Sequence, residues 1–170
     1  MKSSRRNWLL LLPIGGIGAG IMALTILNPS IEAQTSPNHK DARLKTRHYQ
    51  ASINDVRRVV EEIIPLQRKY GARWRIAHLQ QGEKAVGLFV KSPKFINEGT
   101  EGVQQKIAAE VPVLFFTDYL VVTLRGEKGF TRVDIHSKSR FPGRSDLGEN
   151  RRHVLQLLAA LDAKFEQSNS

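Results

Sequence analysis

The chain contains no cysteine. That excludes a disulfide framework, a thiolate zinc site, an iron–sulfur cluster and a lipid-acylated cysteine. Histidine is sparse: His39, His48, His78, His136 and His153 are all there is. None stands in a His-x-His or His-Glu-x-x-His spacing, so no metal site and no cofactor are expected. No Walker loop is present, and the only glycine-dense stretch, Gly15-Gly16-Ile17-Gly18, lies in an apolar N-terminal run. No Gly-x-Ser-x-Gly elbow occurs, which leaves a triad of Asp118, His136 and Ser137 or Ser139 with nothing to single it out. Aromatics make up 7% of the chain. Phe115 and Phe116 suit a core better than a base-stacking platform, so nucleic acid is not an expected partner. Negative charge is also short, with 16 acidic residues against 26 Lys and Arg. The net charge of +10 points to an acidic partner without saying which.

The 170 residues suffice for one ordinary domain. Residues 1–33 differ in kind from the rest. Lys2, Arg5 and Arg6 precede Leu9 to Leu27, which is 19 residues without a charge. A basic flank before an apolar run marks an export signal or a single membrane anchor. Pro13 and four glycines weaken the run, and Ile31-Glu32-Ala33 is a poor small-x-small cleavage site, so both readings stay open. Ser4-Arg5-Arg6-Asn7-Trp8-Leu9 is also similar to a twin-arginine export motif; alternatively the two arginines only orient the segment. Either way the downstream domain is expected outside the cytoplasm, in a periplasm or thylakoid lumen. Residues 34–48 lack apolar periodicity and are expected to form an unstructured polar tether.

Residues 49–170 are expected to be a single α+β domain. Ser52 can cap a helix, and Ile53, Val56, Val59, Val60, Ile63 and Ile64 recur along one face until Pro65. Two strand-like runs follow, Arg73 to Leu79 and Lys84 to Val90, with Gln81-Gly82 as a hairpin turn. Residues 92–102 suit a loop. Residues 103–111 fit either a helix face or a strand face; Pro112 and the β-branched run after it favour the strand. Further strands are expected at 113–116, 119–124 and 130–137, with a turn at Gly126-Glu127-Lys128-Gly129. In the last strand Val133 and Ile135 share one face, Asp134 and His136 the other. A final helix begins near Asp146, with Glu149 at a capping-box position; Leu147, Val154, Leu158, Leu161 and Phe165 line it, and Lys164 sits in its last turn. No β-α-β alternation appears. The expected fold is an antiparallel meander of four to five strands with an N-terminal and a C-terminal helix packed on it.

Residues 137–152 could carry a site. Ser137 and Ser139 end a strand, a Pro-Gly loop follows, and a helix N-terminus comes next, where backbone N–H groups favour an anion. Arg140 and Arg144 could clamp a carboxylate or phosphate. The candidate anion-binding residues are therefore Ser137, Ser139, Arg140, Arg144, Ser145, Asn150 and Arg151. Glu110, Asp118, Gly143, Asp146 and Gly148 would support them. The alternative is purely structural: Asp146 fills the anion position itself, Arg140 pairs with Asp118 or Asp134, and Gly148 serves close packing.

This stretch resembles the Ser-x-Ser-Arg-x-Gly-x-Ser-Asp-(Leu/Phe)-Gly-x-Asn-Arg-Arg pattern of the domain of unknown function family 1499. Ser137, Ser139, Arg140, Gly143, Ser145, Asp146, Gly148, Asn150, Arg151 and Arg152 carry the likeness. Ala109-Glu110 and Phe116-Thr117-Asp118 are similar to further family positions. Two departures stand out: His39 follows Pro37-Asn38 where many members have cysteine, and Phe141-Pro142 makes the loop one residue longer than usual. The resemblance implies an exported or membrane-attached protein with relatives in bacteria, cyanobacteria and chloroplasts. It implies no activity.

Three functions compete. The reading taken is a non-catalytic exported or anchored domain that binds an anionic ligand, an acidic lipid surface or an acidic protein. A structural or assembly subunit at a membrane is the alternative. The third is an enzyme with Arg140 and Arg144 as clamps on a small anion and Asp118 or Glu110 as acid/base. The oligomeric state is left open. The charge distribution bears on the choice: residues 39–75 hold 10 basic and 4 acidic groups, whereas residues 76–135 hold 7 of each. The excess is a collar following the apolar run, not a groove around the motif.

Overall fold

The computed structural model describes residues 31–77, 103–113, 116–140 and 146–168. The apolar run, the expected strand at 84–90 with its Gln81-Gly82 turn, the loop at 92–102, and Gly143, Arg144 and Ser145 lie outside the described residues.

The domain is α+β. Strand β1 spans Glu32–Gln34, β2 Arg47–Tyr49, and helix α1 Ile53–Ile63. Short strands β3 (Arg68–Lys69), β4 (Ala72–Arg73) and β5 (Arg75–Ala77) follow. The long strands are β6 (Gln104–Val113), β7 (Phe116–Glu127) and β8 (Phe130–Lys138), and helix α2 (Glu149–Ser168) closes the chain. The main sheet runs β1-β8-β7-β6-β5, with β2 on the same edge of β8 as β1, and every pairing is antiparallel.

Six strands replace the four to five expected because residues 34–48 are not an unstructured tether. Their polarity hides main-chain pairing. Ala33 lies opposite Ser137 and His48 opposite Arg132, so β1 and β2 cover consecutive lengths of one β8 edge. The connection between them contains a 3-10 turn, Ala42–Leu44, capped by Asp41, and Ser36 bridges Lys45. Its buried threonines find partners: Thr46 Oγ1 donates to Asp134 at 2.6 Å. At its end Tyr49 stacks on Phe165 with centroids 4.2 Å apart, and its hydroxyl donates to Asp162 at 2.7 Å. Burial and that carboxylate push the Tyr49 phenol upward.

Helix α1 forms where expected. Ser52 Oγ accepts from the Asp55 N–H at 3.2 Å, and Val56, Val59, Val60 and Ile63 are buried. Pro65 then carries the chain into a 3-10 turn, Ile64–Leu66. Tyr70 and Gly71, both at positive φ, make the tight β3–β4 turn. Residues 104–113 are strand, as the β-branched pattern favoured. Alternation along β6, β7 and β8 sends Ile107, Ala109, Val111, Leu120, Val122, Leu124, Val133 and Ile135 to one face. There they meet the α1 residues, Trp74, and Val154, Leu157, Leu158 and Leu161 of α2.

Helix α2 begins three residues later than the sequence suggests. Leu147 and Gly148 hold positive φ of 56° and 80°, so the helix starts at Glu149 and Leu147 is not on its apolar face. Lys164 stands just before the last turn and pairs with Glu62 of α1 at 3.5 Å.

Candidate functional site

The core face of the sheet changes character at the open end of β7 and β8. Asp118, Ser137 and Ser139 continue the same alternation as Leu120 and Ile135 but are polar, and all three are buried. The N-terminal turn of α2 lies across them and brings Asn150 and His153, both fully buried. Ser139 Oγ donates to Asp118 Oδ1 at 2.6 Å, and Ser137 Oγ donates to Asn150 Oδ1 at 2.7 Å.

The helix start is closed by the chain itself. The Asp146 carboxylate accepts from Gly148 N at 2.8 Å, from Asn150 N at 2.7 Å and from Asn150 Nδ2 at 2.5 Å. This is the position at which an external anion would sit. Gly148 holds a left-handed backbone, where an L side chain would press on its own carbonyl.

The same residues hold the chain where it enters the fold. Ile31 O accepts from Ser139 N at 3.0 Å and from Asn150 Nδ2 at 2.8 Å. Asn150 therefore joins three chain segments: residue 31, the end of β8 and the start of α2. Arg151 pairs with Asp41 and Arg152 with Glu149. The arginines beside Asp41 hold its carboxyl well below the usual carboxylate range.

The other expected site residues do not join this cluster. Arg140 points to the outer face of the sheet, where its Nη1 donates to Tyr119 Oη at 2.9 Å and its guanidinium stacks 5.2 Å from that ring. Its guanidinium pairs with neither Asp118 nor Asp134, while its backbone N–H bonds the Asp118 carboxylate. Glu110 also lies on the outer face, opposite Tyr119 in register, and pairs with Arg75 at 3.2 Å. Asp118 faces the core, so Glu110 and Asp118 are separated by the sheet. His136 is on the outer face and pairs with Glu32 at 3.4 Å, so an Asp118–His136–Ser triad does not assemble. Among the described residues no cluster of His, Asp and Glu could hold a metal ion.

Sequence reasoning passed over His153, Lys69 and Trp74. His153 Nδ1 lies 3.8 Å from Asp118 Oδ2, and its Nε2 lies 3.7 Å from Glu149 Oε2. Lys69 Nζ reaches Glu149 Oε2 at 2.5 Å. The Trp74 ring meets His153 edge-on at 5.7 Å. Burial raises the Asp118 carboxyl to about 6, against the Ser139 hydrogen bond that pulls it down. Burial lowers His153 to about 4, against the attraction of Glu149. One signal was available: His153 follows Glu149 by four residues, so a helix places both on one face.

Among the described residues the cluster offers hydrogen-bonded closure and a buried Asp118–His153–Glu149 triplet, and no exposed nucleophile beside a base. No curated protein and no solved structure matches the chain. The family model described as "Protein of unknown function (DUF1499)" matches residues 27–161, most of the chain, and the protein belongs to that family.

Proposed function

We propose that the protein is a non-catalytic domain held against a membrane, where it contacts an anionic lipid surface. The observation that carries this reading is the position of the basic collar. Lys40, Arg43 and Lys45 are all exposed, and they belong to the β1–β2 connection, folded against the edge at which the chain enters. Only residues 28–31 separate the apolar run from β1. Four residues reach at most about 14 Å, even fully extended. A retained apolar segment would therefore keep the collar within reach of lipid headgroups. The clasp on Ile31 supports the same reading, because it fixes the direction in which the chain leaves the domain. The closure of the α2 N-terminus by Asp146 and the separation of Arg140 from Asp118 favour binding over catalysis.

Arg43 is tied to Asp41, so Lys40 and Lys45 carry most of the attraction; at about 1 kcal/mol per cation near an anionic leaflet, the two favour association roughly thirtyfold. The test uses the full chain in neutral detergent, added to bead-supported bilayers of phosphatidylcholine with or without phosphatidylglycerol. Stronger capture by the anionic bilayer is expected, lost at high salt and in the Lys40→Gln, Arg43→Gln, Lys45→Gln variant. Equal capture by both bilayers at low salt would overturn the proposal.

A further inference from the structure

The buried triplet at the start of α2 has an atom count that neutral chemistry does not satisfy. Among the described residues Asp118 Oδ2, His153 Nδ1 and His153 Nε2 are buried and lack a hydrogen-bond partner, while the buried Glu149 Oε2 meets the Lys69 ammonium at 2.5 Å. They form two gaps, His153 Nδ1 to Asp118 Oδ2 at 3.8 Å and His153 Nε2 to Glu149 Oε2 at 3.7 Å. Each gap needs one hydrogen. A neutral imidazole carries one N–H, and ionised carboxylates carry none. With both carboxylates ionised, one gap sets a nitrogen lone pair against a carboxylate oxygen. Neither Asp118 nor His153 has any exposed surface, so bulk water does not relieve that contact.

We infer that Asp118, His153 and Glu149 form a buried one-proton site whose occupancy tightens the clasp at the chain entry. One proton taken from solvent supplies the missing hydrogen, whether it rests on Asp118 Oδ2 or on His153 Nδ1. The surrounding groups decide which gap it fills. Glu149 is already paired with Lys69 of β3 and Arg152 of its own helix. Among the described residues Asp118, on β7, has the hydroxyl of Ser139 and the backbone N–H of Arg140, and no cation closer than the imidazole. Asp146 adds negative charge near both Asp118 and His153. Trp74 closes the remaining side with an edge-on ring. The proton therefore goes to the Asp118–His153 gap, and the imidazole turns its own N–H toward Glu149. Charge-assisted hydrogen bonds span about 2.7–2.9 Å, so closing the Asp118–His153 gap draws α2 toward β7 by up to about 1 Å. Asp118 is bonded to Ser139, and Ser139 N holds Ile31 O. A proton at this site is thereby coupled to the hold on the N-terminal chain.

This inference stands whether or not the domain touches lipid. The test is nuclear magnetic resonance on the full chain in neutral micelles, with ¹⁵N-labelled histidine and ¹³C-labelled aspartate. Loss of one imidazole signal in His153→Gln assigns His153. On going from about pH 8 to pH 5, the His153 nitrogens and the Asp118 carboxyl are expected to shift in one shared step. Amide exchange at Ser139, corrected for the intrinsic rate, should slow about tenfold through the same step. Asp118→Asn should remove the step from His153, and Glu149→Gln should displace it. The wild-type titration decides the matter even if a variant fails to fold. Independent titrations of the two groups, no titration above pH 5, or unchanged Ser139 protection would each overturn it.

Discussion

Asp118 and His153 perturb each other's consequences. Asp118 is raised from 3.8 to about 6 in the fold, so it binds its proton more tightly when folded. The stability this contributes is full below pH 3.8 and is lost as pH rises through about 6. His153 is lowered from 6.5 to about 4, so its contribution is full above pH 6.5 and is lost as pH falls through about 4. The two slopes are opposite over one window, and each is worth about 3 kcal/mol. Wild-type stability from this pair should therefore be nearly flat between pH 4 and 6.5. Asp118→Asn should lose about 3 kcal/mol on acidification across that window, and His153→Gln should gain a similar amount. Urea midpoints at several pH values check this; parallel curves for all three proteins would contradict it. Little of this was legible in the chain. Asp118 was identified by its motif, but its burial depends on strand parity at β7, and His153 has no special neighbours in sequence. What joins them is the approach of α2 to the sheet, a contact between residues 35 positions apart.

At the scale of elements, the turns carry sequence requirements that composition alone blurs. Gly129 in the β7–β8 turn and Gly148 before α2 hold φ of 82° and 80°, whereas Gly126 lies within β7, where an added Cβ would meet nothing closer than Ile53 Cβ at 3.9 Å. Alanine at Gly129 or Gly148 should cost about 1–2 kcal/mol, and alanine at Gly126 should be nearly neutral. Thermal denaturation of the three variants checks the ranking; an equal cost at all three sites would refute it. The elements with apolar periodicity were legible: α1, β6 to β8 and the body of α2 follow from repeats of 3.6 and 2. The start of α2 was misplaced because an aspartate followed three residues later by a glutamate looks like a capping box. Here Asp146 caps through a left-handed pair, Leu147-Gly148, that no periodicity reveals. Strands β1 and β2 were missed because they are three residues each and polar, and they are held by β8 backbone and by Asp134.

At the scale of the molecule, part of the positive charge acquires a location. The first stretch of the collar, residues 39–45, holds Lys40, Arg43 and Lys45 against Asp41 and is not a loose tether but a folded edge beside the chain entry. The family motif, which drew attention first, is largely internal closure: Ser137 with Asn150, Ser139 with Asp118, Arg151 with Asp41. Its described members fasten residue 31, and so set where the N-terminal segment leaves the domain. On the function proposed above, the charge and the motif have separate tasks, one facing an anionic surface and the other fixing the domain's orientation toward it.

The most direct measurement exploits the absence of cysteine. A single Lys45→Cys variant of the full chain, labelled with a fluorophore and reconstituted in nanodiscs, reports how close the collar lies to lipid. Ala72→Cys, exposed in β4 on the β6 side of the sheet, away from β1 and β2, serves as the comparison site. Nitroxide-bearing lipids should quench the label at residue 45 strongly in phosphatidylglycerol discs. That quenching should fall in phosphatidylcholine discs or at high salt, and residue 72 should stay weakly quenched throughout. Equal quenching at the two sites, or no dependence on lipid charge and salt, would contradict a domain that rests its basic collar on the membrane.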